Sequence, residues 1–67
     1  MITIFINGER QTLAQPENLQ QLLAGLAGLP EKFALAVNGA FIPAPDYSTT
    51  AVASGDEIEL LVPMQGG

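Results

Sequence analysis

The sequence predicts a small α+β domain, a mixed sheet of four to five strands with one helix across one face. Three observations predict it. Two strand-like runs are joined at Asn7-Gly8, a single leucine stripe follows at helical spacing, and an alternating run returns late, from Glu57 to Val62. The 67 residues leave room for one core. A domain of this size buries only about 60% of the surface its unfolded chain exposes, which is marginal but feasible without staples.

Each element has a local cause. Ile2, Ile4 and Ile6 alternate with Thr3 and Phe5, the period of a half-buried strand. Asn7-Gly8 suits a tight turn with positive φ at both central positions, and Glu9 to Leu13 is the returning strand. Pro16 interrupts. Asn18 then precedes Gln21 by three residues, a capping-box spacing in which each side chain satisfies the other's backbone amide. Leu19, Leu22, Leu23 and Leu26 fall at i, i+3, i+4 and i+7, one apolar stripe on a helix, with Gly28 and Pro30 as its expected stop. The stripe reads as core packing.

Ala34 to Val37 is a third strand ended by a second Asn-Gly, Asn38-Gly39. Phe41-Ile42 is a short fourth strand, cut off by Pro43 and Pro45 as befits a sheet edge. Residues 44–54 read as a loop with one helical turn near Asp46-Tyr47-Ser48, Tyr47 serving as a core anchor with its hydroxyl at the surface. In the last strand Ile58, Leu60 and Val62 are expected to face inward and Glu57, Glu59 and Leu61 outward. Such an order gives a small α+β roll. The last strand buries its apolar face most simply beside the first and parallel to it, in the centre of the sheet. That is the β-grasp, or ubiquitin-like, architecture: residues 1–62 form the domain, and residues 63–67 form a flexible tail ending in Gly66-Gly67.

Composition excludes several function classes. Without cysteine or histidine there are no disulfides, no thiolate or imidazole metal ligands, and no Cys or His nucleophile or base. No metal or cofactor site is expected, and the chain is a poor candidate for an enzyme. Seven acidic residues face two basic ones, Arg10 and Lys32, for a net charge of −5. A nucleic-acid binder needs Lys and Arg to displace phosphate counterions, so no nucleic acid is expected. The acidity either steers the protein to a basic docking surface or simply keeps it soluble. Met1 leads straight into Ile2-Thr3-Ile4 with no signal-peptide pattern, and no apolar run approaches the ~20 residues of a membrane span. A cytoplasmic protein is expected.

Two features remain for function. Glycine lacks a Cβ, so an extended Gly66-Gly67 end with a free carboxylate can pass a channel too narrow for other residues. Residues 63–67 extend about 15–18 Å at ~3.3–3.6 Å per residue, enough to reach a recessed site, while Pro63 restricts the backbone beside the sheet. On the strands expected to be central, Phe5 and Leu61 point away from the helix-covered face. With Met64 beside them they form a candidate docking patch, the alternative being ordinary scattered surface hydrophobicity. Glu57 and Glu59 are candidate partners for Lys or Arg on a docking protein, or simply a solvated strand face.

With these residues in place, the chain resembles the ThiS/MoaD family of ubiquitin-like sulfur carriers, and within it the thiamine-biosynthesis branch. The resemblance runs through Asn7-Gly8, Leu22-Leu23, Ala34-Leu35-Ala36-Val37-Asn38-Gly39, Phe41-Ile42-Pro43, Tyr47, Gly55-Asp56-Glu57-Ile58-Glu59 and Pro63-Met64-Gln65-Gly66-Gly67. It implies that Gly67 is the working group, adenylated by an E1-like, ThiF-type enzyme that supplies ATP and magnesium. A persulfide sulfur donor then yields a C-terminal thiocarboxylate, and a ThiG-type synthase takes the sulfur into the thiazole of thiamine. A carrier visiting two partners is expected to be a monomer. Relatives often carry a basic residue after the Val/Ile-Pro pair, where this chain has Ala44, so any contact made there is absent or replaced. A molybdopterin-type carrier, a protein modifier joined through an amide at Gly67, and a pure binding module are the competing readings.

Overall fold

The structure, a computed structural model, describes residues 1–62. Five strands and one helix follow in the order β1 (Ile2–Ile6), β2 (Glu9–Leu13), α1 (Leu19–Ala24), β3 (Ala34–Val37), β4 (Ala40–Ile42) and β5 (Glu57–Leu61), with a 3₁₀ helix over Ala44–Thr49 between β4 and β5. They form one mixed sheet in the order β2-β1-β5-β3-β4. The last strand lies in the centre, parallel to β1 and antiparallel to β3. The architecture is the β-grasp.

Both Asn-Gly dipeptides sit in turns with positive φ at both residues, 50° and 84° at Asn7-Gly8 and 52° and 84° at Asn38-Gly39. This mirror-image turn matches the right-handed twist of the flanking strands. It fixes the hairpin registers, Ile6 opposite Glu9 in one and Val37 opposite Ala40 in the other.

The helix begins as the capping box dictates. Gln21 N–H donates to Asn18 Oδ1 at 2.7 Å, and Asn18 N–H donates to Gln21 Oε1 at 3.0 Å. It ends sooner than expected, at Ala24 with Gly25 as C-cap, not at Gly28. A glycine inside a helix costs about 1 kcal/mol relative to alanine, and two lie within four residues here. Gly28 instead takes a left-handed conformation at φ 75°. Leu26 lies beyond the helix, yet its amide bonds Leu23 C=O at 3.1 Å and its side chain still packs on the core. The stripe outlasts the ladder.

The core joins Ile4, Leu19, Leu22, Leu23, Leu35, Val52 and Ile58, with Ile2, Ile6, Leu13, Tyr47, Leu60 and others packed around it. Val52 comes from the segment expected to be a loop with one helical turn, beyond that turn. That segment is tied to the helix entrance by bonds from Val52 N–H to Glu17 C=O at 2.8 Å and from Leu19 N–H to Thr50 C=O at 3.0 Å. Asn18 Nδ2 also donates to Ser48 C=O at 3.2 Å. Tyr47 is half-buried against the core, as expected of an anchor. Val62 departs from its expected inward placement: it lies past the end of β5 and is 58% exposed, because neither neighbouring strand extends far enough to pair with it.

Candidate functional site

Among the described residues, those of interest belong to β5 or to the sheet face opposite the helix. A strand presents alternate residues to opposite faces, so the registers define that outer face. It carries Thr3 and Phe5 from β1, Arg10 and Thr12 from β2, Glu57, Glu59 and Leu61 from β5, Ala34 and Ala36 from β3, and Phe41 from β4. No helix covers it.

Phe5 and Leu61 share this face, as the alternation predicts, but they do not meet. Phe5 stands opposite Arg10 on one side and Glu57 on the other and is half-buried. Leu61 comes four residues after Glu57, about 13 Å further along β5 at ~3.3 Å per residue, beside Ala34. A further large apolar residue of this face, beyond β3, lies outside the alternation of the central strands. Phe41, on edge strand β4, is 66% exposed and stands opposite Ala36, whose other neighbour is Glu59. Phe41, Ala36, Ala34 and Leu61 thus form an apolar area with a floor of two alanines, and Glu57 and Glu59 are exposed along its border. The signal that could have found Phe41 is its placement one residue before an inward-facing Ile42, which directs it outward.

The root of β5 is closely bonded. Asp56 accepts the Ala53 amide at 2.8 Å through Oδ2 and the Asn38 carboxamide at 3.1 Å through Oδ1. Asn38 Oδ1 accepts the Glu57 amide at 3.0 Å, and Gly55, at φ 91°, donates its amide to Thr3 C=O at 2.7 Å. The Gly-Asp pair is therefore the device that turns the chain into the central strand. At its other end β5 stops at Leu61. Met64, Gly66 and Gly67, the remaining expected site residues, and the 63–67 tail as a whole lie outside the described residues. Ala44 opens the 3₁₀ helix, exposed, behind Pro43.

The ThiS family model matches residues 4–67 of the chain, nearly its whole length and through both final glycines. The chain belongs to the ThiS family. A crystal structure of the thiamine biosynthesis protein ThiS from Geobacter metallireducens superposes with a TM-score of 0.84 at 29% identity, covering 98% of this chain and 100% of that one. A solution structure of a thiamine biosynthesis protein from the same organism gives a TM-score of 0.75 at 29% identity, over 98% and 88%. An uncharacterized protein of Porphyra purpurea, ycf40, is 32% identical over 66 residues, 98% of this chain and 93% of that protein. Membership in the ThiS family supports a sulfur-carrier role rather than a catalytic one. Among the described residues, no helix is long and apolar enough to cross a membrane.

Proposed function

We propose that this protein is a sulfur carrier whose Gly67 carboxylate is adenylated, converted to a thiocarboxylate, and used as the sulfur source for thiazole formation in thiamine biosynthesis. The observation that carries this reading is a family match that runs through Gly67, joined to a fold whose central strand leads directly toward that end.

An α-carboxyl has a pKa of roughly 3.3–3.7, so at neutral pH the group is an ionised, poor electrophile. Activation is a separate step. A carboxylate oxygen of Gly67 attacks the α-phosphorus of ATP, pyrophosphate leaves, and an acyl-adenylate forms. The terminal sulfur of a persulfide then attacks the carbonyl carbon and AMP leaves, giving an acyl disulfide. A second thiol attacks the inner sulfur, the one carried by the donor's cysteine, forming a disulfide with it and releasing the terminal sulfur on Gly67 as the thiocarboxylate. Magnesium and ATP belong to a ThiF-type adenylating enzyme, and the acceptor is a ThiG-type thiazole synthase. This chain contributes a platform, an unbranched Gly66-Gly67 backbone that fits a narrow channel, and an outer sheet face for docking. Met64, Glu57 and Glu59 join Phe5, Leu61 and Phe41 as the proposed contacts.

The test is intact mass after incubation with ATP, cysteine and an extract of the native host, beside a Gly67-deleted protein. A gain equal to replacing one oxygen by sulfur, absent from the deletion, supports the carrier reading. Amide-linked conjugates without sulfur gain indicate a modifier. Neither product, in an extract active on another carrier, sinks both. Gly66→Leu is expected to block adenylation while leaving the thermal unfolding midpoint unchanged, and normal adenylation of that variant would count against threading of the tail.

A further inference from the structure

Two turns of the same sequence and the same backbone stand on either side of β5. Turn geometry alone accounts for an Asn-Gly pair at each. It does not account for the side chains, since glycine would fit the first position equally well, yet both asparagines reach to β5. Asn38 Oδ1 accepts the Glu57 amide where the strand begins. Asn7 Oδ1 accepts the Leu60 amide at 2.9 Å where it ends.

The Asn7 bond replaces a missing rung. The parallel pairing of β1 with β5 stops at Ile6 opposite Ile58, because the chain turns away at Asn7. The Asn7 amide still donates to Ile58 C=O at 2.9 Å. In a continuing parallel ladder the next bond would join the Leu60 amide to the main-chain carbonyl of Asn7, and here the carboxamide oxygen takes that place. On its other side β5 remains paired with β3 as far as Leu61 opposite Ala34. Without the Asn7 carboxamide, the stretch from Glu59 to Leu61 would be held from one side only.

We infer that Asn7 is a positioning residue: its side chain holds the last residues of β5 in the sheet and so fixes the point from which the chain continues to Gly67. The consequence for delivery rests on the reading of Gly67 as the activated group; the anchoring of Leu60 does not. A tail that must reach a recessed site starts from a defined origin, and a frayed origin lowers the fraction of encounters in which the carboxylate arrives correctly placed. That is a loss of productive binding, and it should appear in KM.

Two variants separate this role from turn formation. Asn7→Gly keeps the positive-φ turn and removes the acceptor, whereas Asn7→Asp keeps both the turn preference and an acceptor oxygen. Amide hydrogen exchange by NMR is expected to show Leu60 exchanging about tenfold faster in Asn7→Gly, while Ile4 and Leu35 keep their protection and Asn7→Asp stays at the parent rate. With an adenylating enzyme that accepts the parent protein, Asn7→Gly should raise KM about three- to tenfold at unchanged kcat, again restored in Asn7→Asp. Unchanged Leu60 exchange in Asn7→Gly overturns the anchoring, and faster exchange with unaltered KM overturns the role in delivery. A parent protein that no such enzyme adenylates defeats the carrier reading and the delivery role together, while the exchange result still decides whether Asn7 holds the strand.

Discussion

The two faces of the sheet divide the work of this small molecule. The covered face presents Ile4 and Leu35, both 0% exposed, to the helix, and the large apolar side chains of its strands pack into or against the core. The other face leaves Phe41 and Leu61 more than half exposed among the described residues. A chain of this length can close only one apolar interface, so apolar residues on the second face contribute little to folding. The difference teaches where each kind of mutation should register. Changes on the covered face alter stability, and changes on the open face alter association.

The sharpest way to break the comparison is to hollow out the covered face. Leu35→Ala removes a fully buried side chain from the centre of the core and should cost about 2–5 kcal/mol. A single small core rarely supplies more than about 3–5 kcal/mol, so urea titration followed by circular dichroism should find the variant largely unfolded. A loss below about 1 kcal/mol would mean that the helix-covered face is not where stability resides. A smaller effect is expected at the rim. Asn18→Ala removes the N-cap of α1 and the bond to Ser48 C=O, and should cost about 1–2 kcal/mol, read as a lower urea midpoint at constant m-value.

How far these faces were legible in the sequence follows from the range of each interaction. Strand alternation, the Asn-Gly turns and the Asn18/Gln21 box are set by residues within four positions of one another, and apart from Val62, past the end of β5, they appear as expected. The central place of β5 followed from its need to bury Ile58. The early end of α1 was less legible because Gly25 and Gly28 are both competent stops, and the choice between them depends on how Leu26 packs. Val52 was missed because an isolated valine in a loop has no period to reveal its burial. The place of Phe41 on the open face is less legible because Phe41, Ala36 and Glu59 come from three different strands, and cross-strand adjacency is not written in any one segment. Asn7 and Asn38 are legible locally as turn residues, but their bonds to β5 depend on where that strand lies.

The smallest expected change in stability is the most telling for function. Replacing Phe41 or Leu61 by threonine removes the exposed apolar group and puts in its place a β-branched residue that suits a strand, and each should alter folding stability by less than about 0.5 kcal/mol. If the apolar area over Ala34 and Ala36 is the docking surface, each variant should raise KM for adenylation about tenfold, and kcat should hold because Gly67 is untouched. Phe5→Thr provides the contrast. Phe5 is on the same face but half-buried, between Arg10 and Glu57, so its loss should cost more stability and less association. The opposite order, with Phe5→Thr raising KM while Phe41→Thr does not, would move the docking surface to the β1–β2 half of the face. It would also leave the exposure of Phe41 with no role in partner binding.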